Sequence, residues 1–308
     1  MFHSSSHRKC WLFPSLEEVN RLRQKCIENF TAKHAVAAND LVTLEEQNIL
    51  CEYHEQKLLK LCLKFQPPLP YSVIFTAFAY FKRVYLQTNT VENHPNVMIS
   101  VCLYMACKVE EYNVSVDKFV LIYPEEEQYN VADIILANEM NLMRLLNYHL
   151  IVHSPKRAME GFLIDIKTRF PQGKDPDSYR EKAIEFLNVL LFTDIVFLYP
   201  PSQIALAALQ KASGEVIHKY ILSVLAPGEK GESILEKVGE IVKLVGTKKA
   251  RENDRVKLIE EKLNRSRLLL EKGKVKKRKS VGSEAGEISK RQKASSLDDE
   301  EMNVEVVE

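Results

Sequence analysis

His94-Pro-Asn-Val-Met-Ile-Ser-Val-Cys-Leu-Tyr-Met-Ala-Cys-Lys-Val-Glu-Glu111 is the stretch around which the chain is organised. Proline suits the first turn of a helix, where its missing N–H costs nothing. From Val97 to Cys107 almost every residue is apolar or small, so no face is left for water. A helix that is apolar all round belongs inside a core, and this one is shorter than the roughly 20 residues a membrane span needs. Its exit is charged: Lys108 suits a helix C-terminus, whereas Glu110 and Glu111 oppose the dipole there. This charged end reads either as a solvated exit from a buried helix or as a cluster delivered to a surface where something docks, and the rest of the chain decides between them.

The totals fit a soluble helical protein. The 308 residues are 45% hydrophobic and 28% charged, with a formal net charge of +1, so no global field favours nucleic acid or an anionic membrane. Ten glycines are few, and the turn pairs of β-hairpins are absent, which predicts an all-α chain. Cys10, Cys26, Cys51, Cys62, Cys102 and Cys107 show no C-x-x-C spacing and read as reduced thiols. Met1 to Lys9 is polar, without a signal-peptide core, and is expected to be a flexible start.

Working outward, Ser15-Leu-Glu-Glu18 and Thr43-Leu-Glu-Glu46 form capping boxes, in which side chains satisfy free backbone donors at a helix start. The first opens an amphipathic helix carrying Leu16, Val19, Leu22, Cys26, Ile27 and Phe30. The second opens a helix to about Phe65. Tyr71 to Leu86 is too long for a strand and predicts a buried helix. After the central helix come a short one at Val116–Ile122 and a longer one at Val131–Leu150 whose core face includes Ile135, Leu142 and Tyr148. The pattern then restarts. Ser154-Pro155 opens a helix to Phe170, Asp175-Pro176 one to about Leu198, and Tyr199-Pro-Pro-Ser-Gln-Ile-Ala-Leu-Ala-Ala-Leu209 a second proline-led apolar helix. Helices around Val216–Val224 and Ile234–Val245 complete the second set. Two copies of a five-helix unit, each wrapped on its third helix, are the simplest account.

The resulting organisation is an N-terminal segment with one amphipathic helix (1–42), a first repeat (43–152), a second repeat (153–247), a C-terminal helix (248–272) and a charged tail without a fold (273–308). The tail's basic run holds Lys276, Lys277, Arg278 and Lys279, read as a nuclear import signal. Ser280, Ser295 and Ser296 beside charged runs are candidate phosphorylation sites.

Nothing points to catalysis. No phosphate-cradling glycine loop, nucleophile elbow or metal-ligand spacing is present, and neither a cofactor nor a metal is expected. His3 and His7 lack a third ligand, and His149 and His153 read as structural histidines.

The doubled five-helix unit with Ala106-Cys-Lys-Val-Glu-Glu111 ending its third helix resembles the cyclin box. The chain is identified as a member of the cyclin family, most similar to its H-type branch. The strings that carry this are Trp11 with Arg21-Leu-Arg23, Tyr80-Phe-Lys-Arg83, Leu103 to Glu111, Leu146-Asn-Tyr-His-Leu-Ile-Val-His153, Glu160 to Phe170 and Pro201-Ser-Gln-Ile-Ala-Leu206. The resemblance implies a nuclear, non-catalytic subunit of the CDK-activating kinase. Its implied partners are cyclin-dependent kinase 7, a RING-containing assembly factor and the TFIIH core, where the substrates include the C-terminal repeats of RNA polymerase II. It implies kinase-binding roles for Lys108, Val109, Glu110, Glu111 and Glu139, with Lys108 and Glu139 as a partly buried pair. The first repeat would dock on the kinase αC helix and hold its glutamate on the ATP-positioning lysine. The substrate-recruiting patch of cell-cycle cyclins falls on Asn48-Ile-Leu-Cys-Glu-Tyr-His54, which lacks the tryptophan, so recruitment there is not expected. An alternative is a TFIIB-like protein binding promoter DNA, a role that calls for basic repeats and a zinc ribbon, of which this sequence has neither.

Overall fold

The computed structural model describes residues 2–34, 41–171, 175–246 and 255–270. Among them there are thirteen α-helices and no strand, as the periodicity predicts. Ahead of the first repeat lie α1 (Ser6–Trp11) and α2 (Leu16–His34). The first repeat holds α3 (Leu44–Cys62), α4 (Tyr71–Val84), α5 (Pro95–Val109), α6 (Val116–Val120) and α7 (Glu125–Leu145). The second holds α8 (Pro155–Arg169), α9 (Arg180–Leu190), α10 (Pro201–Ser213), α11 (Glu215–Tyr220) and α12 (Glu229–Gly246). Helix α13 (255–270) follows.

Each repeat is built on its proline-led helix. In α5 every residue from Met98 to Cys107 is buried, and the helix packs against α4, α7 and α3. In α10 Ile204 to Leu209 are buried against α9, α8 and α12. Full burial of each large aliphatic side chain contributes roughly 1.5–3 kcal/mol, so these two helices carry much of the stability. Gly214 ends α10 with φ +57°, a left-handed conformation that a β-carbon disfavours.

Several expectations change in detail. The N-terminus is not a loose start: Ser5 caps α1, and Trp11 and His7 are buried. Trp11 lies beneath the buried Arg83 guanidinium, 4.8 Å from its ring, and His7 stacks on His153. The box at Thr43–Glu46 is complete, but at Ser15 only one half forms, because the Glu18 carboxylate turns to Arg21. The segment from Asp175 to Leu198 is not one helix. It begins as a 3-10 turn at Pro176–Tyr179, and after Leu190 the chain breaks into a second 3-10 turn at Asp194–Phe197, which aims Asp194 at α2 and α4. Helix α7 starts at Glu125, where three glutamates complement the dipole, and it stops at Leu145.

Candidate protein-docking site

The charged exit of α5 and the middle of α7 form one surface. The Lys108 ammonium bonds the Glu139 carboxylate across the two helices, with side-chain exposures of 47% and 21%. Lys108 also lies over the Tyr104 ring, 5.6 Å from its centroid. Two negative residues at the end of α5 are accommodated differently. Glu110 accepts a 2.8 Å hydrogen bond from the hydroxyl of buried Thr76 on α4. Glu111 is exposed with φ 57°, and the turn it makes lets the Tyr112 N–H reach the Cys107 carbonyl at 2.8 Å. Val109 is half-buried against the core. Of the predicted docking residues, Lys108 and Glu139 are therefore brought into direct contact, and Val109, Glu110 and Glu111 form the adjoining turn.

The pair is not isolated. Leu136 and Met140 flank Glu139 on α7, and both are exposed apolar side chains. Tyr129, one turn pair earlier on the same face, is exposed as well. Their spacing of seven and then four residues marks a second apolar stripe on α7, distinct from the core stripe of Ile135 and Leu142. The stripe is legible in the sequence as Tyr129, Leu136 and Met140.

Beyond α7, Asn147 and Tyr148 both have positive φ (51° and 59°). Asparagine tolerates this conformation, but a tyrosine is strained in it. The segment is held from beneath: the buried Arg83 guanidinium donates to the His149 carbonyl at 3.2 Å, and the Tyr80 hydroxyl donates to the Leu150 carbonyl. Burial lowers the Arg83 pKa to about 9. The outcome is that Tyr148, expected in the core, stands outward at 61% exposure, with Ile151 exposed beyond it. The reason is the stop of α7 at Leu145, which takes Tyr148 off the helical register.

Lys276, Lys277, Arg278 and Lys279 lie outside the described residues, as do Ser280, Ser295 and Ser296. Among the described residues no cluster of three or more metal-ligating side chains occurs, and no helix is long and apolar enough to cross a membrane.

Part of the recruiting-patch position on α3 is covered by the chain itself, while Asn48, Cys51 and Glu52 line an open cavity. Ile49 and Leu50 are buried with Phe30, Val91 and the α13 residues Val256, Ile259 and Leu263 in a second, smaller core, and Tyr53 packs against it. Lys262 on α13 pairs with Glu46 at 2.8 Å, and Arg255 with Glu45 at 3.5 Å.

Comparison with known proteins bears on this arrangement. Residues 17–151 match the family described as Cyclin, N-terminal domain, and residues 154–260 match the Cyclin C-terminal domain. The chain is 41% identical over 217 residues to "Cyclin-H" of Xenopus laevis, covering 68% of this chain and 67% of that protein. It is 33% identical over 178 residues to "Cyclin-H1-1" of Arabidopsis thaliana, covering 56% of this chain but only about half, 51%, of that protein. It is 28% identical over 238 residues to "Cyclin mcs2" of Schizosaccharomyces pombe, covering 71% and 72%. Two solved structures share the fold. A chain in the CAK complex from Chaetomium thermophilum bound to ATP-γ-S superposes with a TM-score of 0.76 at 22% identity, over 91% of this chain and 94% of that one. A chain in the yeast TFIIK (Kin28/Ccl1/Tfb3) complex gives 0.66 at 22% identity, over 79% and 99%.

Proposed function

The chain belongs to the cyclin family, and from that membership we propose that it is an H-type cyclin that binds and activates cyclin-dependent kinase 7. It acts as a regulatory subunit of a kinase and not as an enzyme. The observation that carries this reading is the Lys108–Glu139 pair with exposed Leu136 and Met140 next to Glu139 on α7. A neutralised charged pair with exposed apolar side chains next to it suits a protein partner better than a phosphate backbone, which would call for uncompensated cations.

The mechanism is one of position. The face of α5 and α7 docks on the kinase αC helix, and that helix is thereby held where its glutamate meets the lysine that orients ATP. In the free chain the half-exposed Lys108–Glu139 pair is worth about 0–1 kcal/mol. Once a partner covers it, loss of one member leaves a buried charge uncompensated, which costs about 3–5 kcal/mol. Apolar neighbours add roughly 1.5–3 kcal/mol each when fully buried.

The finer reading places this subunit with a RING-containing assembly factor and the TFIIH core, in the nucleus. There it supports phosphorylation of cell-cycle kinases and of the RNA polymerase II C-terminal domain. The relatives named Cyclin-H and the fold shared with chains of CAK and TFIIK complexes support it. Lys108, Val109, Glu110, Glu111 and Glu139 are the proposed kinase contacts, and Lys276, Lys277, Arg278 and Lys279 the import signal. The proposed bounds of the repeats are 43–152 and 153–247. Adding the purified chain to inactive cyclin-dependent kinase 7 and the assembly factor tests the reading. Phosphorylation of a polymerase C-terminal peptide that rises with added chain supports it, and no binding or activation at equimolar chain refutes it.

A further inference from the structure

A groove lies on the first repeat, and neither Lys108 nor Glu139 lines it. Helices α3, α5 and α7 enclose a trough of about 340 Å³. Leu61, Val97, Val131 and Ile134 give it an apolar floor. Lys57 and Lys60 on α3 and Lys64 in the turn just past its end stand along one lip, and Glu127 on the first turn of α7 forms the other. Lys60 and Lys64 are exposed. Lys64 donates to the Ile122 carbonyl at 3.0 Å, a bond that leaves its charge unneutralised. Lys60 forms no ion pair among the described residues. Lys57 is shared between Glu260 at 3.9 Å and the Tyr53 ring. The groove thus asks for an occupant that is apolar along its length and negative on the α3 side.

The chain carries such a segment. Leu297-Asp-Asp-Glu-Glu-Met-Asn-Val-Glu-Val-Val-Glu308 holds six carboxylates and no cation, with Leu297, Met302, Val304, Val306 and Val307 between them. It also starts from the right place. Helix α13 reaches the groove's edge through Glu260, which faces Lys57. Farther along, Arg267 lies close to His94, whose pKa falls to about 4 through burial first and then through the charges of Arg267 and Lys57. His94 caps α5, accepting from the Asn96 N–H at 3.1 Å, and Asn96 lines the groove. From residue 270 the 26 residues before Leu297 could span up to about 90 Å when fully extended, so reach sets no barrier.

We propose that residues 297–308 dock in this groove of their own chain, with Asp298 to Glu301 against Lys60 and Lys64 and the apolar residues on the floor. Repulsion from Glu127 keeps the carboxylates on the lysine lip. Covalent capture in the full chain tests this. A zero-length carbodiimide joins a carboxylate to an amine only where they touch. Mapping at micromolar concentration should give links within one chain from Lys60 or Lys64 to the 298–301 acids. The Lys64 links should fall at least fivefold in the single variant Lys60→Glu, which keeps the Lys64 amine, and stay unchanged in Lys182→Glu, an exposed lysine elsewhere. A second measurement leaves α3 intact. In the full chain with Asp298→Asn, Asp299→Asn, Glu300→Gln and Glu301→Gln, Lys60 should acylate at least threefold faster, and 0.5 M salt should speed the wild type likewise. Tail links that map elsewhere, links formed only between two chains, or an unchanged Lys60 rate would overturn the proposal.

Discussion

Arg23 of α2 grips Asp194 of the second repeat with two hydrogen bonds, at 2.7 and 3.0 Å, across 171 residues of sequence. Lys82 of α4 sits between Asp194, 3.6 Å away, and Glu55 of α3, at 2.5 Å. All but the partly exposed Asp194 are buried, so the N-terminal helix and both repeats meet in one charge-balanced cluster. The capping logic of the sequence located α2 without saying what it rests on; this cluster does.

Arg23→Ala should leave Asp194 and Glu55 facing one cation instead of two. Breaking a buried pair costs about 3–5 kcal/mol, so the chemical-denaturation midpoint should drop accordingly. A double replacement, Arg23→Met with Asp194→Leu, should cost clearly less, because no charge is stranded. Equal losses in the two variants would show that packing of the stems, not charge, dominates.

His7 carries a pH dependence. Burial first, then the nearby charges of Arg83 and His153, lowers its pKa to about 3 from 6.5. The folded state therefore binds fewer protons than the unfolded chain between these values. Stability from this group is fully present above about pH 6.5 and is lost as pH falls toward about 3, by on the order of 1.4 kcal/mol per unit. His54, also buried and lowered to about 3, acts in the same direction. Replacing His7 by Phe should flatten the slope of unfolding free energy between pH 6 and 4; an unaltered slope would place the dependence elsewhere.

Leu263 of α13 is fully buried in the small core with Ile49 and Leu50. Leu263→Ala should cost about 2–5 kcal/mol locally. Because that core is separate from the main one, the loss should appear as faster amide exchange in α13 and around Ile49–Tyr53, with the exchange of α5 and α10 unchanged. Uniform acceleration throughout would mean that α13 is integral to the global fold.

How much was legible follows from the kind of signal each element carries. Helices α5 and α10 announce themselves through proline followed by unbroken apolar runs, and the doubled architecture follows from them. The Lys108–Glu139 contact came from family resemblance, since nothing in local spacing joins residues 31 apart. What stayed hidden depends on long-range geometry. Trp11 and His7 are ordered by contacts with Arg83 and His153, far along the chain. Tyr148 escapes its helical register because α7 ends at Leu145, a stop set by a strained pair of positive-φ residues and not by proline or glycine.

Leu136→Asp should weaken kinase binding without loss of stability, because the side chain is already exposed at 56%. At least a tenfold rise in Kd is expected, with an unchanged denaturation midpoint. A wild-type Kd would remove the α7 stripe from the docking face.

The most direct test of the docking account is a binding titration of the full chain against cyclin-dependent kinase 7, with Lys108→Ala and Glu139→Ala in parallel and activity toward a polymerase C-terminal peptide as the second readout. Both variants should fold as the wild type does, since their pair is half-exposed. Each should bind at least a hundredfold more weakly, in line with about 3–5 kcal/mol for a charge stranded under a partner, and activate in proportion to occupancy. Wild-type affinity and full activation in both variants would contradict the assignment of this face to the kinase.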